Sequence, residues 1–264
     1  MTGKYGGESK QGNPVIDAGW GWGHNVCQRL DEAHPMLDVA ATKGFAMLPR
    51  TIELNDWTSE KKCRKLVENL SKKHFIAVYC ATAQEAADYI MREAENAANV
   101  GFGGSLSVAD LKLTTPLMEK GKEILNHGFP DLPREQRLEI MKRQQTCDLF
   151  LTGTNAVTMD GCLVNIDGNG NRVAAMIYGP SKVIVVVGRN KIVEGDVSAA
   201  IQRIKNLSAP PNAKRLSKET PCASTGFCID CDSPQRICHI TTIIDSKPSL
   251  TDMHVLVVNE DMGL

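Results

Sequence analysis

The sequence predicts an α/β domain, a mostly parallel sheet with helices on both faces. Three observations carry this expectation. From Asp56 onward, short apolar segments of strand length alternate with segments of helical period. Val183 to Val187 (VIVVV) is an unbroken β-branched run, as in a central strand covered on both faces. Helix-start signals stand immediately after predicted strands, as Thr82 and Glu85 do after FIAVYC.

The elements follow in order. Residues 1–55 carry Trp20, Trp22, many glycines and little periodicity, and read as an N-terminal arm packed on a neighbouring surface. Asp31 to Thr42 is predicted as a short helix within it. Cys63, Leu66, Val67 and Leu70 recur at i, i+3, i+4 and i+7, one face of a helix. Phe75 to Cys80 is a strand, and Thr82 opens a helix with the apolar stripe Ala86, Ile90, Met91 and Ala94. Asn99 to Phe102 is a strand ending in glycines. Thr115-Pro116 starts a helix with proline at its first position. Lys122 to Leu125 is a strand, Pro133 to Thr146 a charged helix, and Asp148 to Leu151 a strand. Ala156 to Ile166 is a hairpin turning at Asp160-Gly161. Asp196 caps a helix running through Leu207. Pro210-Pro211 with Lys214, Arg215 and Lys218 reads as a linker. The strands His239 to Ile244 and His254 to Val258 close a domain of residues 56–264.

Three loops after predicted strands are rich in glycine and hydroxyl residues: Gly101 to Ser105, Thr152 to Asn155, and Asp167 to Arg172. Ligands of open α/β sheets sit outside the carboxyl ends of strands. Glycine there lets backbone approach an anion, and hydroxyls add donors. A helix starting near Ser107 offers a further N-terminus. Gly103, Gly104, Ser105, Thr154 and Asn165 are therefore candidate substrate-binding residues. Asn155, Asp167 and Arg172 are candidate catalytic ones. Asp167 suits a general base or a substrate-orienting carboxylate, and Arg172 a two-pronged grip on a carboxylate or phosphate. Asp160 is explained by the turn it begins. The loops match neither the dinucleotide-binding nor the nucleotide-triphosphate glycine pattern.

Cys222, Cys228, Cys231 and Cys238 have the spacing C-x5-C-x2-C-x6-C. Four thiolates in so short a loop suit one metal centre. An iron–sulfur cluster, [4Fe–4S] by ligand count, accepts such irregular spacing. Structural zinc more often joins two CxxC elements, and only Cys228-Cys231 is one. Zinc and free, oxidisable thiols stay open. Cys27, Cys63, Cys80, Cys147 and Cys162 are scattered, and core packing explains Cys63 and Cys80. His24 and His239 are the histidines nearest to these features; His239, directly after Cys238, reads as a plain strand position, with a substitute ligand or a donor to a ligand as the alternative, and His24 has no assignable partner.

Composition bounds the function. Lys plus Arg is 30 and Asp plus Glu is 31, a net charge of −1. That balance gives no footprint for nucleic acid. No apolar run approaches the ~20 residues of a membrane span, and the N-terminus has no secretory apolar core. A soluble, cytoplasmic protein with reduced cysteines is the expectation.

The run LTGTNAVTMDGCLVNIDGNGNRVAAMIYGPSKVIVVVGRNKIV, residues 151–193, resembles the signature of the LUD domain, the lactate-utilisation family. GFGGSLSV at 101–108 and the helix start Trp57 to Lys62 fit the same pattern. The resemblance covers residues 55–264. It implies a fold similar to ribose-5-phosphate isomerase A and the CoA transferases. It implies a ligand facing Gly103, Gly104, Ser105, Thr154, Asn155, Asp167 and Arg172. It also implies a link to oxidation of L-lactate to pyruvate, beside an iron–sulfur partner and a second oxidoreductase subunit. The chain departs from the short lactate-complex subunit in residues 1–55 and in its four-cysteine loop.

Three functions are consistent with these features. One is a redox protein or subunit taking a small carboxylate, with a metal centre and an electron-transfer partner. Another is a non-redox isomerase or transferase with Asp167 as base. The third is a binding module whose cysteine loop is a zinc staple or redox sensor. An aromatic arm with no core of its own suggests a homodimer.

Overall fold

The computed structural model describes residues 48–264. Trp20, Trp22, His24, Cys27 and the expected helix at Asp31 to Thr42 lie outside the described residues. The first element, α1 (Leu48–Lys72), begins before Asp56 and contains Trp57 to Lys62 in its interior. Cys63, Leu66 and Leu70 are its buried stripe, as the spacing predicts.

The chain continues through β1 (Ile76–Cys80), α2 (Ala83–Glu93), β2 (Asn99–Phe102), α3 (Leu106–Ala109), α4 (Thr114–Glu119), β3 (Glu123–Asn126), α5 (Arg134–Arg143) and β4 (Leu149–Gly153). Thr82 caps α2 by accepting from the Glu85 N–H, while the Glu85 carboxylate takes the Ala81 N–H at 2.8 Å. Leu113 is the cap of α4, so Pro116 stands third rather than first. It still falls among the N–H groups that no helical carbonyl serves.

The second half holds β5 (Ala156–Thr158), β6 (Leu163–Asp167), α6 (Asn171–Ile177), β7 (Lys182–Gly188), β8 (Ile192–Val193), α7 (Val197–Arg203), α8 (Ala209–Arg215), α9 (Pro221–Thr225), β9 (Ile240–Ile244) and β10 (Asp252–Val258). Six strands form a wholly parallel sheet in the order β1-β10-β7-β4-β2-β3. Val183, Val185 and Val187 face one core, with Met253, Val255, Val257 and the buried face of α1. Ile184 and Val186 face the other, with Leu256, Val258 and residues of α2, α3 and α4. Alternation of side chains along a strand makes both faces of VIVVV apolar.

Three expectations are corrected. The hairpin β5–β6 and the strand β9 do not join the main sheet. They form a second sheet, β8-β5-β6-β9, whose Val157 and Leu163 pack into the α1 core. One face of the main sheet is thus covered partly by strands. Pro210-Pro211 lies in α8 rather than a linker. A π turn, Ile204–Ser208, precedes it and shifts the hydrogen-bond register where the prolines supply no N–H. The expected third loop ends early, because helix α6 begins within its last two residues, at Asn171. Among the described residues no helix is long and apolar enough to cross a membrane.

Candidate functional site

The chain leaves β2 outward to the edge strand β3, and leaves β4 inward to β7. Connections diverging from neighbouring parallel strands open a crevice at their carboxyl ends. There the Gly103 N–H donates to the Leu151 carbonyl at 2.9 Å. A Cβ on Gly103 would lie 2.9 Å from Thr152 Oγ1 and 3.2 Å from Arg172 Cγ. A Cβ on Gly153 would lie 2.5 Å from Ser105 Oγ. These glycines let two loops and an arginine close on one another. Ser105 caps α3, accepting from the Val108 N–H at 3.5 Å. The third loop follows β6 of the second sheet, not a strand of the parallel sheet.

Arg172 joins the loops. Its Nη1 donates to the Gly153 carbonyl at 3.2 Å and to Asn165 Oδ1 at 2.7 Å. Its Nη2 donates to Asn155 Oδ1 at 2.9 Å and the Ile166 carbonyl at 3.3 Å. Its Nε stands 3.3 Å from Asp167 Oδ2. The side chain is only 13% exposed. Both Nη atoms are therefore hydrogen-bonded within the chain and Nε faces Asp167 as an ion pair, so Arg172 holds the site together instead of offering the free fork expected of it. Burial lowers its pKa and Asp167 opposes the shift, yet arginine stays charged.

Asn165 Oδ1 also accepts from the Asn155 N–H and lies 3.2 Å from Thr154 Oγ1. That fixes the amide with its oxygen toward the donors. Asp167 Oδ1 accepts from the N–H groups of Asn169 and Gly170, both at 3.2 Å. Three polar atoms are buried without a hydrogen-bond partner among the described residues: Gln144 Oε1, and, flanking Arg172, Asn165 Nδ2, a donor, and Asp167 Oδ2, an acceptor that has only the arginine's charge beside it.

The cysteine loop ends against this site. The His239 N–H donates to the Asp167 carbonyl at 3.0 Å, and a Cβ on Gly168 would lie 3.4 Å from the Ile237 carbonyl oxygen. Cys222, Cys228, Cys231 and Cys238 are free, half-buried thiols. Burial raises the pKa of Cys238, Arg236 opposes this, and the other three thiols add to the rise, so all four share one electrostatic neighbourhood. Arg236 donates to the Cys231 and Cys238 carbonyls at 2.6 and 2.8 Å, tying the last two cysteines together. The donor set fits a four-thiolate centre. Among the described residues, however, no three His, Cys, Asp or Glu side chains already stand in a metal-holding arrangement.

Cys63, Cys80 and Cys147 sit in the cores, where burial pushes each thiol up to about 11. Two clefts lie elsewhere: one of about 660 Å³ beside Cys162, another of about 270 Å³ beside Arg189. Neither of these two clefts is lined by the glycine-loop residues.

A family model described as LUD domain matches residues 63–258. The chain belongs to the LUD-domain family. It is similar to the crystal structure of a DUF162 family protein from Deinococcus radiodurans, with 16% identity and a TM-score of 0.45. That alignment covers 76% of this chain and 98% of the other. Comparison with curated proteins gave no match.

In this LUD domain, three residues join the site that sequence reasoning missed. Lys191 is buried, its Nζ donating to Ser107 Oγ at 2.6 Å. Burial, then Arg203 and Arg172, bring its pKa down to about 7. A charged residue between the apolar segments VIVVV and Ile192-Val193 was the available signal. His127 turns Nε2 toward Gly104 and feels the charge of Asp167. Its Nδ1 meets Gln144 Nε2 at 3.0 Å. Burial lowers the pKa of His127. Gln144 also donates to the Phe102 and Leu125 carbonyls. Nothing in the local sequence marks His127 or Gln144.

Proposed function

We propose that this LUD-domain chain is a cytoplasmic redox protein, or a subunit of one, that oxidises lactate or a related small hydroxy acid. The observation that carries the reading is the pair of unpartnered buried atoms flanking Arg172, Asn165 Nδ2 and Asp167 Oδ2. Buried polar groups left unsatisfied are costly and call for a partner. A 2-hydroxy acid brings the complement: a carboxylate oxygen to accept from Asn165 and a hydroxyl to donate to Asp167.

In this reading Arg172 supplies the positive charge that favours the carboxylate, and keeps Asn155, Asn165 and Asp167 in register. Asp167 takes the hydroxyl proton as the alcohol becomes a ketone, while the Cα–H bond breaks and its hydrogen and two electrons pass to an external two-electron acceptor, the proposed electron-transfer partner or the dye of the assay. Gly103, Gly104, Ser105 and Thr154 shape the wall and exclude water. Cys222, Cys228, Cys231 and Cys238 would hold an iron–sulfur cluster, which when bound supplies one-electron transfer. The bond between His239 and Asp167 supports a metal centre beside the substrate. An electron-transfer protein is the proposed partner. A second copy of this chain is the further proposed partner.

The test is anaerobic purification with iron, sulfide and zinc analysis, followed by lactate-dependent reduction of a dye. The expected result is about four irons and four sulfides per chain, with dye reduction lowered at least about 100-fold in Asp167→Asn. One zinc in a colourless protein would overturn the redox reading and make the loop structural. A loaded cluster with no turnover of lactate or other 2-hydroxy acids would overturn the substrate assignment.

A further inference from the structure

A second reactive cluster lies outside the candidate site, at the cleft of about 660 Å³. Lys73, just after α1, reaches across to the hairpin turn. Its Nζ lies 3.0 Å from Cys162 Sγ, 2.9 Å from Asp245 Oδ1 and 3.2 Å from Asp160 Oδ2. Cys162 Sγ lies 3.0 Å from the same Asp245 oxygen and 3.6 Å from Asp160 Oδ2. The two carboxylates are exposed, and Cys162, Asp160 and Asp245 all line the cleft. The lysine and thiol are thus held against each other from three separate segments, and although Cys162 is buried it lines the cleft, which is the route for a small oxidant.

The geometry points to Lys73 and Cys162 as an oxidative cross-linking site, in which a hydroperoxide joins the lysine nitrogen to the cysteine sulfur. In the first step the thiol sulfur takes one oxygen from hydrogen peroxide. The O–O bond breaks, the sulfur is oxidised to sulfenic acid, and one water leaves. In the second step the lysine nitrogen attacks that sulfur. The S–N bond forms, the S–O bond breaks, and a second water leaves. The ammonium, which its two carboxylate neighbours stabilise, loses one proton to solvent hydroxide before attack, so the step is favoured by alkaline pH, and its nitrogen gives up another as the bond forms, to the departing hydroxide. The net change is the loss of two hydrogens from the protein and the reduction of one peroxide to two waters. The product clamps the end of α1 to the β5–β6 turn.

Cys63, Cys80, Cys147 and Cys162 are all buried, but Cys162 alone among these four both lines the cleft and has a lysine nitrogen against its sulfur. The site is separate from the glycine-loop site, so its test does not depend on the redox reading above.

The full-length chain is treated with hydrogen peroxide, blocked with an alkylating agent and mapped by tryptic mass spectrometry. The expected result is a linked pair of peptides containing Lys73 and Cys162, two hydrogens lighter than their sum, with cleavage after Lys73 lost. Dithiothreitol restores both. Lys73→Arg keeps the ion pairs but cannot form the link. In that variant Cys162 is instead captured by dimedone as sulfenic acid, at several times the wild-type yield. Cys162 remaining a free thiol, or reaching sulfinic acid with Lys73 still cleaved, overturns the proposal. So does equal dimedone capture in wild type and Lys73→Arg. The four loop cysteines fall on other peptides and do not confuse the readout.

Discussion

Lys191 shows how a single residue ties stability to pH. Its ordinary pKa is 10.5, and in the fold it is about 7. Between those values the unfolded chain holds a proton that the folded chain has released, so stability rises as pH increases across that window. Below about pH 7 both states are protonated and the cost of burying the charge is felt in full. The span corresponds to an upper figure of about 5 kcal/mol. Lys191→Met keeps the length of the side chain and removes the titration. Urea midpoints at pH 7 and pH 9 are expected to rise with pH in the wild type and to stay level in the variant. A parallel rise in both would show that Lys191 does not titrate in this window. The same residue bonds Ser107, immediately after the Gly103–Ser105 loop, so the segment after β7 meets the segment after β2 through one ammonium or amine.

At the scale of elements, glycine decides how tightly segments can pass. Gly179, between α6 and β7, has φ of +129°, and a Cβ there would stand 2.1 Å from the Gln145 carbonyl oxygen. Gly121 also has a positive φ, +72°, but a Cβ there meets nothing within 4 Å. The two separate backbone strain from collision. Gly121→Ala is expected to cost about 1 kcal/mol, the penalty of a left-handed residue alone. Gly179→Ala is expected to cost at least about 3 kcal/mol, because backbone must move as well. Thermal melts of the two variants decide the matter, and equal losses would mean that α6 yields without penalty. Such a shift would carry Arg172, which stands on the first turn of α6.

For the whole molecule, the order of strands sets which parts open last. β4, β7 and β10 lie inside the parallel sheet with nearly every residue buried, whereas β3 is an edge and β9 is largely exposed. Hydrogen exchange is expected to be slowest in β7 and β10 and much faster in β3 and β9. Equal protection across both sheets would show that they open as one unit. The arrangement suits the proposed chemistry. The interior strands hold one wall of the site, while the acidic loop and the cysteine loop belong to the more loosely held second sheet.

Local sequence determined the alternation of strands and helices, the buried stripe of α1, the cap of α2 and the hairpin turn. Each depends on neighbours within a few residues. It also marked Gly103, Thr154, Asn155, Asn165, Asp167 and Arg172, because glycine, amide and charge after apolar strands have few local explanations. Only the tertiary structure decided that the hairpin leaves the main sheet, since VTMDG and CLVNI pair alike in either setting. Only it showed Arg172 engaged by its neighbours, because Gly153, Asn155 and Asn165 reach it from different strands. The same holds for His127, Lys191 and the Lys73–Cys162 contact. Their roles arise from approach across 17, 84 and 89 residues of chain, and no local pattern records a contact at such separation.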